Sequence, residues 1–213
     1  MFLLNKTKSI ANNLLAELRD IEIQKDSMRF RRNMERLGEI FAYEISKTLN
    51  FENMETQTPL GFSNNHQVKS MPILATILRA GLPLHQGLLN IFDKSDSCFI
   101  AAYRKSKKDD DFDIQMDYVS TPNLDGKTVI VSDPMLATGQ SLVMCCQDLL
   151  VKYDIATLHI VSVIASQEGV AFVKNNLPKA KLWIGAIDEE MTSKSYIVPG
   201  LGDAGDLAFG KKV

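Results

Sequence analysis

From residue 71 onward, short apolar runs alternate with stretches of helical character, and this alternation constrains the fold more than any other feature. The runs are PILATIL (72–78), CFIAAY (98–103), TVIVS (128–132), TLHIVSVI (157–164) and KLWIGAI (181–187). Helix-like segments lie between them near 82–91, 140–152 and 167–175. Apolar runs of this length separated by helices are the pattern of βαβ units. They predict an α/β fold with a mostly parallel central sheet flanked by helices. In such sheets ligands bind beyond the carboxyl ends of the strands, so the loops that follow these runs are where chemistry is expected.

The first fifty residues read differently. Met34, Leu37, Phe41, Ile45 and Leu49 recur at spacings of three and four, which is one face of a helix, and Asp26 is a suitable N-cap. Arg29, Arg31, Arg32 and Arg36 decorate that helix and are expected on a solvated or subunit-facing surface. The stretch RKSKKDDDFDIQMD (104–117) joins a Lys run to an Asp run with little apolar content, and it predicts a mobile, solvated hairpin or loop. Its aspartates lack the glycine of an EF-hand and are read as solvated rather than as a metal site. No repeat or low-complexity linker divides the chain. With 213 residues and 45% hydrophobic composition, it can bury the core of one domain.

Charge and cysteine usage exclude several functions. The net charge of −2 provides no general attraction to nucleic acid or to an anionic membrane. The opening MFLLNKTKSI is too short an apolar patch for a signal-peptide core, and no window approaches a membrane span. Cys98, Cys145 and Cys146 form no CxxC pair, so neither a zinc knuckle nor a disulfide framework is indicated. The expected setting is a reducing, cytoplasmic compartment.

The stretch TVIVSDPMLATGQS (128–141) carries the chemistry. Asp133 stands where the apolar run ends, and Pro134 stops ladder pairing because it lacks an N–H. Met135 and Leu136 lead to Ala137, Thr138, Gly139, Gln140 and Ser141, which open the helix LVMCCQDLLVK. Successive amides at a helix N-terminus form an anion cradle, reinforced by the helix dipole. Thr138 and Ser141 add hydroxyl donors, Gly139 permits close approach, and Asp133 can accept from vicinal hydroxyls. A phosphate together with a diol points to a ribose phosphate. The same Thr-Gly-x-Ser cap also occurs as a purely structural device. GxxxxGK[ST] and GxGxxG are both absent, so the loop is neither a P-loop nor a dinucleotide fingerprint.

VIVSDPMLATGQS resembles the phosphoribosyl-diphosphate (PRPP) loop of type I phosphoribosyltransferases, and DPMLATG resembles its uracil phosphoribosyltransferase form. FRRNMERLGEIFAYE (30–44), TPLG (58–61), ILRAGLPLHQGLL (77–89), YR (103–104) and YIVPGLGDAGDLAFG (196–210) resemble that family's other motifs in the same order. The resemblance runs from about residue 20 to the C-terminus. It implies a type I phosphoribosyltransferase fold in one domain over 1–213. N-terminal helices would occupy about 1–50, a PRPP-binding core about 70–190, and a base-binding segment about 191–213.

The resemblance also implies a reaction, in which uracil and PRPP give UMP and diphosphate. PRPP would lie along Asp133–Ser141, its 5′-phosphate on the loop Ala137–Ser141 and its ribose hydroxyls on Asp133. Arg79 and Arg104, each at the end of an apolar run, would hold the diphosphate, since arginine binds phosphate oxygens bidentately and stays charged. Mg²⁺ would arrive mainly through the diphosphate oxygens, as that ion keeps few protein ligands. Ile197, Gly202, Asp203 and Ala204 would contact uracil, largely through main-chain atoms. Asp203 would also lie near the ribose and is the best candidate for a general base. In similar proteins the turn at Arg79 is strained and sometimes cis. A homodimer or higher homo-oligomer is the family default, and GTP activates some relatives.

Gln140 stands where the family has a second glycine, so its amide is expected to serve while its side chain points outward. Ser132 stands where the family has an apolar residue, and residues 104–117 lack the usual acidic continuation. His66, His85 and His159 match no catalytic motif and are read as surface or structural. Two other readings compete. A pyrimidine-responsive RNA-binding regulator on the same fold would carry a basic surface rather than GLGDAGD. A non-catalytic nucleotide-binding module would have no need to keep Arg79, Asp133, Thr138 and Asp203 together.

Overall fold

The chain begins with a two-residue strand, β1 (Phe2–Leu3), and two helices, α1 (Ile10–Arg19) and α2 (Ser27–Ser46). These and all later elements come from a computed structural model that describes residues 1–106 and 112–212, without the side chains of residues 102–117. α2 starts where the sequence predicts. Oδ1 of Asp26 accepts the amides of Met28 and Arg29 at 3.0 and 3.1 Å, satisfying donors that the first turn leaves unpaired. Met34, Leu37, Phe41 and Ile45 are buried, and Leu49, just past the helix, packs half-buried against the same core. The arginines are not simply solvated. Arg29 pairs with Glu17 and Arg32 with Glu35, while Arg31 donates to the Ala208 carbonyl at the far end of the chain.

Residues 51–68 form an antiparallel hairpin that the sequence reading did not assign. Its strands, β2 (Phe51–Thr58) and β3 (Gly61–Val68), pair from Phe51↔Val68 to Thr58↔Gly61 and belong to no other sheet. Nearly every residue is exposed, including Leu60 at 99% and Phe62 at 70%.

The predicted alternation then follows closely. β4 (Ile73–Leu78), α3 (Leu82–Ile91), β5 (Ser97–Ser106), β6 (Phe112–Ser120), β7 (Thr128–Ser132), β8 (Met135–Leu136), α4 (Gln140–Lys152), β9 (Thr157–Ser166), α5 (Gln167–Asn176) and β10 (Lys181–Asp188) come in turn. A short ladder, β11 (Glu190–Met191) with β12 (Ile197–Val198), and a last helix, α6 (Ala204–Phe209), complete the chain. The main sheet runs β1-β10-β9-β7-β4-β5-β6, with β8 beside β9. All of its pairings are parallel except β5 with β6. The stretch 104–117 departs from the loop alternative. Its described backbone is strand on both sides, Arg104 opposite Ile114 and Ser106 opposite Phe112, and residues 107–111 lie outside the described set.

Alternate strand residues divide between two cores. Leu74, Ile130, Val161 and Val163 pack with α1, α2 and α3, whereas Ala75, Val129, Val131 and Ile160 pack with α4 and α5. This is the two-sided burial that a parallel sheet requires. Both layers leave the carboxyl edge of the sheet open to the loops after β4, β7 and β9.

Candidate active site

β4 and β7 are neighbours, with Thr76 opposite Ser132, so the residues that leave their carboxyl ends emerge side by side. Two buried hydroxyls tie the strands there. Thr76 Oγ1 donates to the Ser132 carbonyl at 3.3 Å, and Ser132 Oγ donates to that of Ala75 at 3.2 Å. The hydroxyl at position 132 is thereby satisfied inside the sheet. Beyond β4 the Leu78–Arg79 peptide is cis. Beyond β7 the backbone of Asp133 is fixed from both sides, its amide donating to Val161 and its carbonyl accepting from Ser162 Oγ at 2.7 Å. Its Oδ1 lies 3.4 Å from the Met135 amide.

The loop that follows has a shape set by α5. Gly139 caps α4 with φ 80°, a left-handed conformation that costs a side-chain-bearing residue about 1–2 kcal/mol. Thr138 Oγ1 lies 3.5 Å from the Gln140 amide. Behind the loop, Ser166 Oγ donates to the Ala137 carbonyl at 2.6 Å and accepts the Gly169 amide at 2.8 Å. A Cβ on Gly169 would overlap that same Ala137 carbonyl, so the loop and the α5 N-terminus are packed backbone to backbone. In front lies a concavity of about 200 Å³ lined by Asp133, Met135, Ala137, Thr138, Gly139 and Ser141. Pro134 is buried beneath it, its carbonyl accepting from Val163 and Ile164, and the Leu136 side chain is likewise buried. Gln140 is exposed and does not line the concavity.

The C-terminal segment meets this edge through Arg79. Arg79 Nη2 donates to Asp206 Oδ1 at 2.7 Å and to the Gly210 carbonyl at 2.6 Å, and its Nε is buried without a protein partner. Asp203 caps α6, its Oδ1 accepting the Asp206 amide at 2.9 Å. A Cβ on Gly205 would stand 3.2 Å from Asp203 Oδ1 and 3.6 Å from Arg79 Nε, so the arginine, the cap and the glycine converge. Ile197 and Ala204 are buried, whereas Gly202 is exposed with φ 93°. Arg79, Asp133, the 137–141 loop and the segment ending in α6 therefore share the carboxyl edge of the sheet. The backbone of Arg104 lies on β5 past the residue paired with Leu78, and its side chain is outside the described set.

The two buried histidines serve the fold. His85 Nε2 lies 3.1 Å from Ser97 Oγ, and His159 Nδ1 accepts from Trp183 Nε1 at 2.9 Å. Burial lowers both imidazoles to about 4. His66 is on the exposed hairpin. The three cysteines are free and buried, and burial pushes the Cys145 thiol up to about 12, far from the range of a reactive thiolate. Among the described residues, no group of three or more His, Cys, Asp or Glu is arranged to hold a metal ion. No helix among them is long and apolar enough to cross a membrane.

Comparison with known proteins decides the lineage. The family model for uracil phosphoribosyltransferase matches residues 5–211. A curated uracil phosphoribosyltransferase from Porphyromonas gingivalis is 48% identical over 96% of this chain and 95% of its own length. The chain belongs to the uracil phosphoribosyltransferase family. A curated uracil phosphoribosyltransferase from Thermococcus gammatolerans is 38% identical over 92% of this chain and 88% of its own. The solved structure of an Aquifex aeolicus protein superposes over 100% of both chains with a TM-score of 0.88 at 26% identity. In this uracil phosphoribosyltransferase chain three charged residues that shape the edge were missed from sequence: Arg19, Asp188 and Asp206. Each acts through a partner more than a hundred positions away, which no local spacing can signal. Only the repeated Gly-Asp of GLGDAGD marked Asp206 out.

Proposed function

We propose that the chain transfers the phosphoribosyl group of PRPP to N1 of uracil, releasing diphosphate and forming UMP. The observation that supports this reading is the Arg79–Asp206 contact, which joins the guanidinium to the C-terminal segment near the strand edge that also holds the 133–141 loop. The 5′-phosphate sits on the amides and hydroxyls of Ala137, Thr138, Gly139 and Ser141, at the positive end of α4. Asp133 accepts from the ribose hydroxyls. Arg79, aided by Arg104, faces the diphosphate, whose charge grows as the C1′–O bond breaks and the C1′–N1 bond forms. Cations there stabilise the transition state more than the ground state. Mg²⁺ carried on the diphosphate oxygens would share their charge, with few protein ligands. The N1 proton leaves toward Asp203, a carboxylate of the base segment.

Main-chain groups of Ile197 and Gly202 to Ala204 read the base. Cytosine presents an amino group where uracil presents a carbonyl, leaving a fixed donor unpaired. A homodimer is part of the proposal. A two-stranded hairpin is marginal by itself, and β2–β3 exposes Phe51, Met54, Leu60 and Phe62 and pairs with no further strand among the described residues. A second copy supplies the missing cover. The buried, free thiols fit a reducing, cytoplasmic compartment.

A radiolabelled-uracil assay with PRPP and Mg²⁺ tests the reading. UMP should form from uracil, while cytosine and purines remain unused. Turnover of hypoxanthine or guanine with uracil inert overturns it. Adding GTP to the same assay tests it as an activator.

A further inference from the structure

A base read by main-chain groups can be discriminated only as sharply as that main chain is held. Little secondary structure holds it here. Between β10 and α6 the segment has only the two-residue ladder β11–β12, then runs through Gly200 and Gly202, both with positive φ. What grips it is a pair of charged side chains from elsewhere in the fold. Asp188, the last residue of β10, is 7% exposed. Its Oδ1 accepts Arg19 Nη2 at 2.7 Å, and its Oδ2 accepts Arg19 Nη1 at 2.8 Å and the Gly200 amide at 2.9 Å. Arg19 Nη1 also donates to the Gly200 carbonyl at 2.8 Å. Both main-chain groups of one residue are thus bonded to the two members of a bidentate ion pair. The planar fork of arginine suits this geometry, and the ammonium of lysine does not.

The flanking residues are fixed by the same helix region. Ile197 and Leu201, on either side of Gly200, are buried in the core that contains Leu14, Leu15 and Leu18 of α1. In its hydrogen-bonding orientation the Gln24 side-chain amide donates to the Leu201 carbonyl at 2.7 Å. The clamp lies between Ile197 and the run Gly202 to Ala204, the two parts of the stretch assigned to uracil.

We propose that Arg19 and Asp188 are positioning residues for base recognition: they touch no substrate, and they fix the Gly200 backbone from which the uracil contacts on both sides are set. The proposal rests on the reading that residues 197–204 bind uracil. It makes α1, far from the PRPP loop in sequence, a working part of the base site.

The test uses steady-state kinetics on Arg19→Gln, Arg19→Lys and Asp188→Asn, the last being isosteric and keeping an acceptor for the Gly200 amide. The KM for uracil should rise at least about tenfold in Arg19→Gln, while the KM for PRPP stays within about twofold. Asp188→Asn should be milder, and Arg19→Lys should recover only part of the loss. A role confined to global folding would lower kcat through the active fraction and leave both KM values alone, and that result overturns the proposal. So does a parallel rise of both. Hydrogen exchange on the unmodified protein separates the two layers of inference. UMP should protect residues 197–204. Absence of that protection overturns the base-site assignment itself, whereas protection with unchanged uracil KM in the variants overturns the clamp alone.

Discussion

Arg79 and Asp206, 127 residues apart in sequence, are joined by a 2.7 Å contact between Nη2 and Oδ1, and the same nitrogen holds the Gly210 carbonyl. The arginine proposed for the leaving group is therefore also the peg on which α6 hangs. The two duties can be separated. Arg79→Ala should lower kcat/KM for PRPP by at least about a hundredfold, roughly 2.7 kcal/mol at 1.36 kcal/mol per decade. UMP carries no diphosphate, so its affinity should fall only by the share due to a loosened α6, less than about tenfold. Asp206→Asn should reproduce that smaller loss and spare most of kcat/KM for PRPP. Side-by-side kinetics and UMP titrations decide the matter. If Asp206→Asn is as damaging toward PRPP as Arg79→Ala, the arginine acts only by docking the helix.

The hydroxyls of Thr138 and Ser141 line the concavity in front of the α4 N-terminus. Replacing both by alanine should weaken UMP binding by about 1–3 kcal/mol, the range for hydrogen bonds to charged groups. Titration calorimetry with UMP gives the answer, and an unchanged affinity would remove this loop from the phosphate site.

Gly169 touches no ligand in this scheme, yet its Cα packs against the Ala137 carbonyl. Gly169→Ala should push the loop outward. Overpacking of this kind costs about 1–3 kcal/mol, and the loss should appear both in the urea midpoint and in UMP affinity. A drop in stability with UMP affinity intact would show that the loop keeps its shape without α5.

Acid should destabilise the protein before its carboxylates titrate. His85 and His159 are neutral in the fold, burial lowering each from 6.5 to about 4. Trp183 Nε1 can only donate, so His159 Nδ1 must remain an acceptor. Between pH 6.5 and 4 the unfolded chain binds these protons and the fold does not. Stability should therefore fall with falling pH by up to about 1.4 kcal/mol per unit for each histidine, and this loss should be absent above pH 6.5. Glu17 and Glu35, held below the usual 4.5 by Arg29 and Arg32, add their losses only at lower pH. Urea midpoints at pH 7.5, 6 and 5 should show the decline, and His159→Gln should flatten it.

The sheet was legible because each parallel strand is buried on both faces and so reads as an unbroken apolar run. TVIVS became β7 with both ends as drawn, and the helices after β4 and β7 began at Leu82 and Gln140. The hairpin was not legible because FENMETQT and GFSNNHQV bury neither face, which leaves no period-two signal to find. The arm formed by β5 and β6 was legible in part: CFIAAY reads as a strand, and the hairpin alternative for 104–117 agrees with the described pairing of Arg104 with Ile114. In the site, the Asp133–Ser141 cradle is contiguous and could be read directly from the chain. The Arg19–Asp188 and Arg79–Asp206 pairs exist only once segments more than a hundred residues apart meet.

That meeting has a consequence for the order of assembly on the ribosome. β1 is the second partner of β10, and Arg19 is matched to Asp188, 169 positions later. β1 and the Arg19 side chain can take their final places only after β10 has been synthesised. Until then the apolar side of α1, with Leu14, Leu15 and Leu18, has no β10 to cover it. The pairing of β1 and the Arg19–Asp188 grip on Gly200 thus wait for β10, while α1 can already pack on α2.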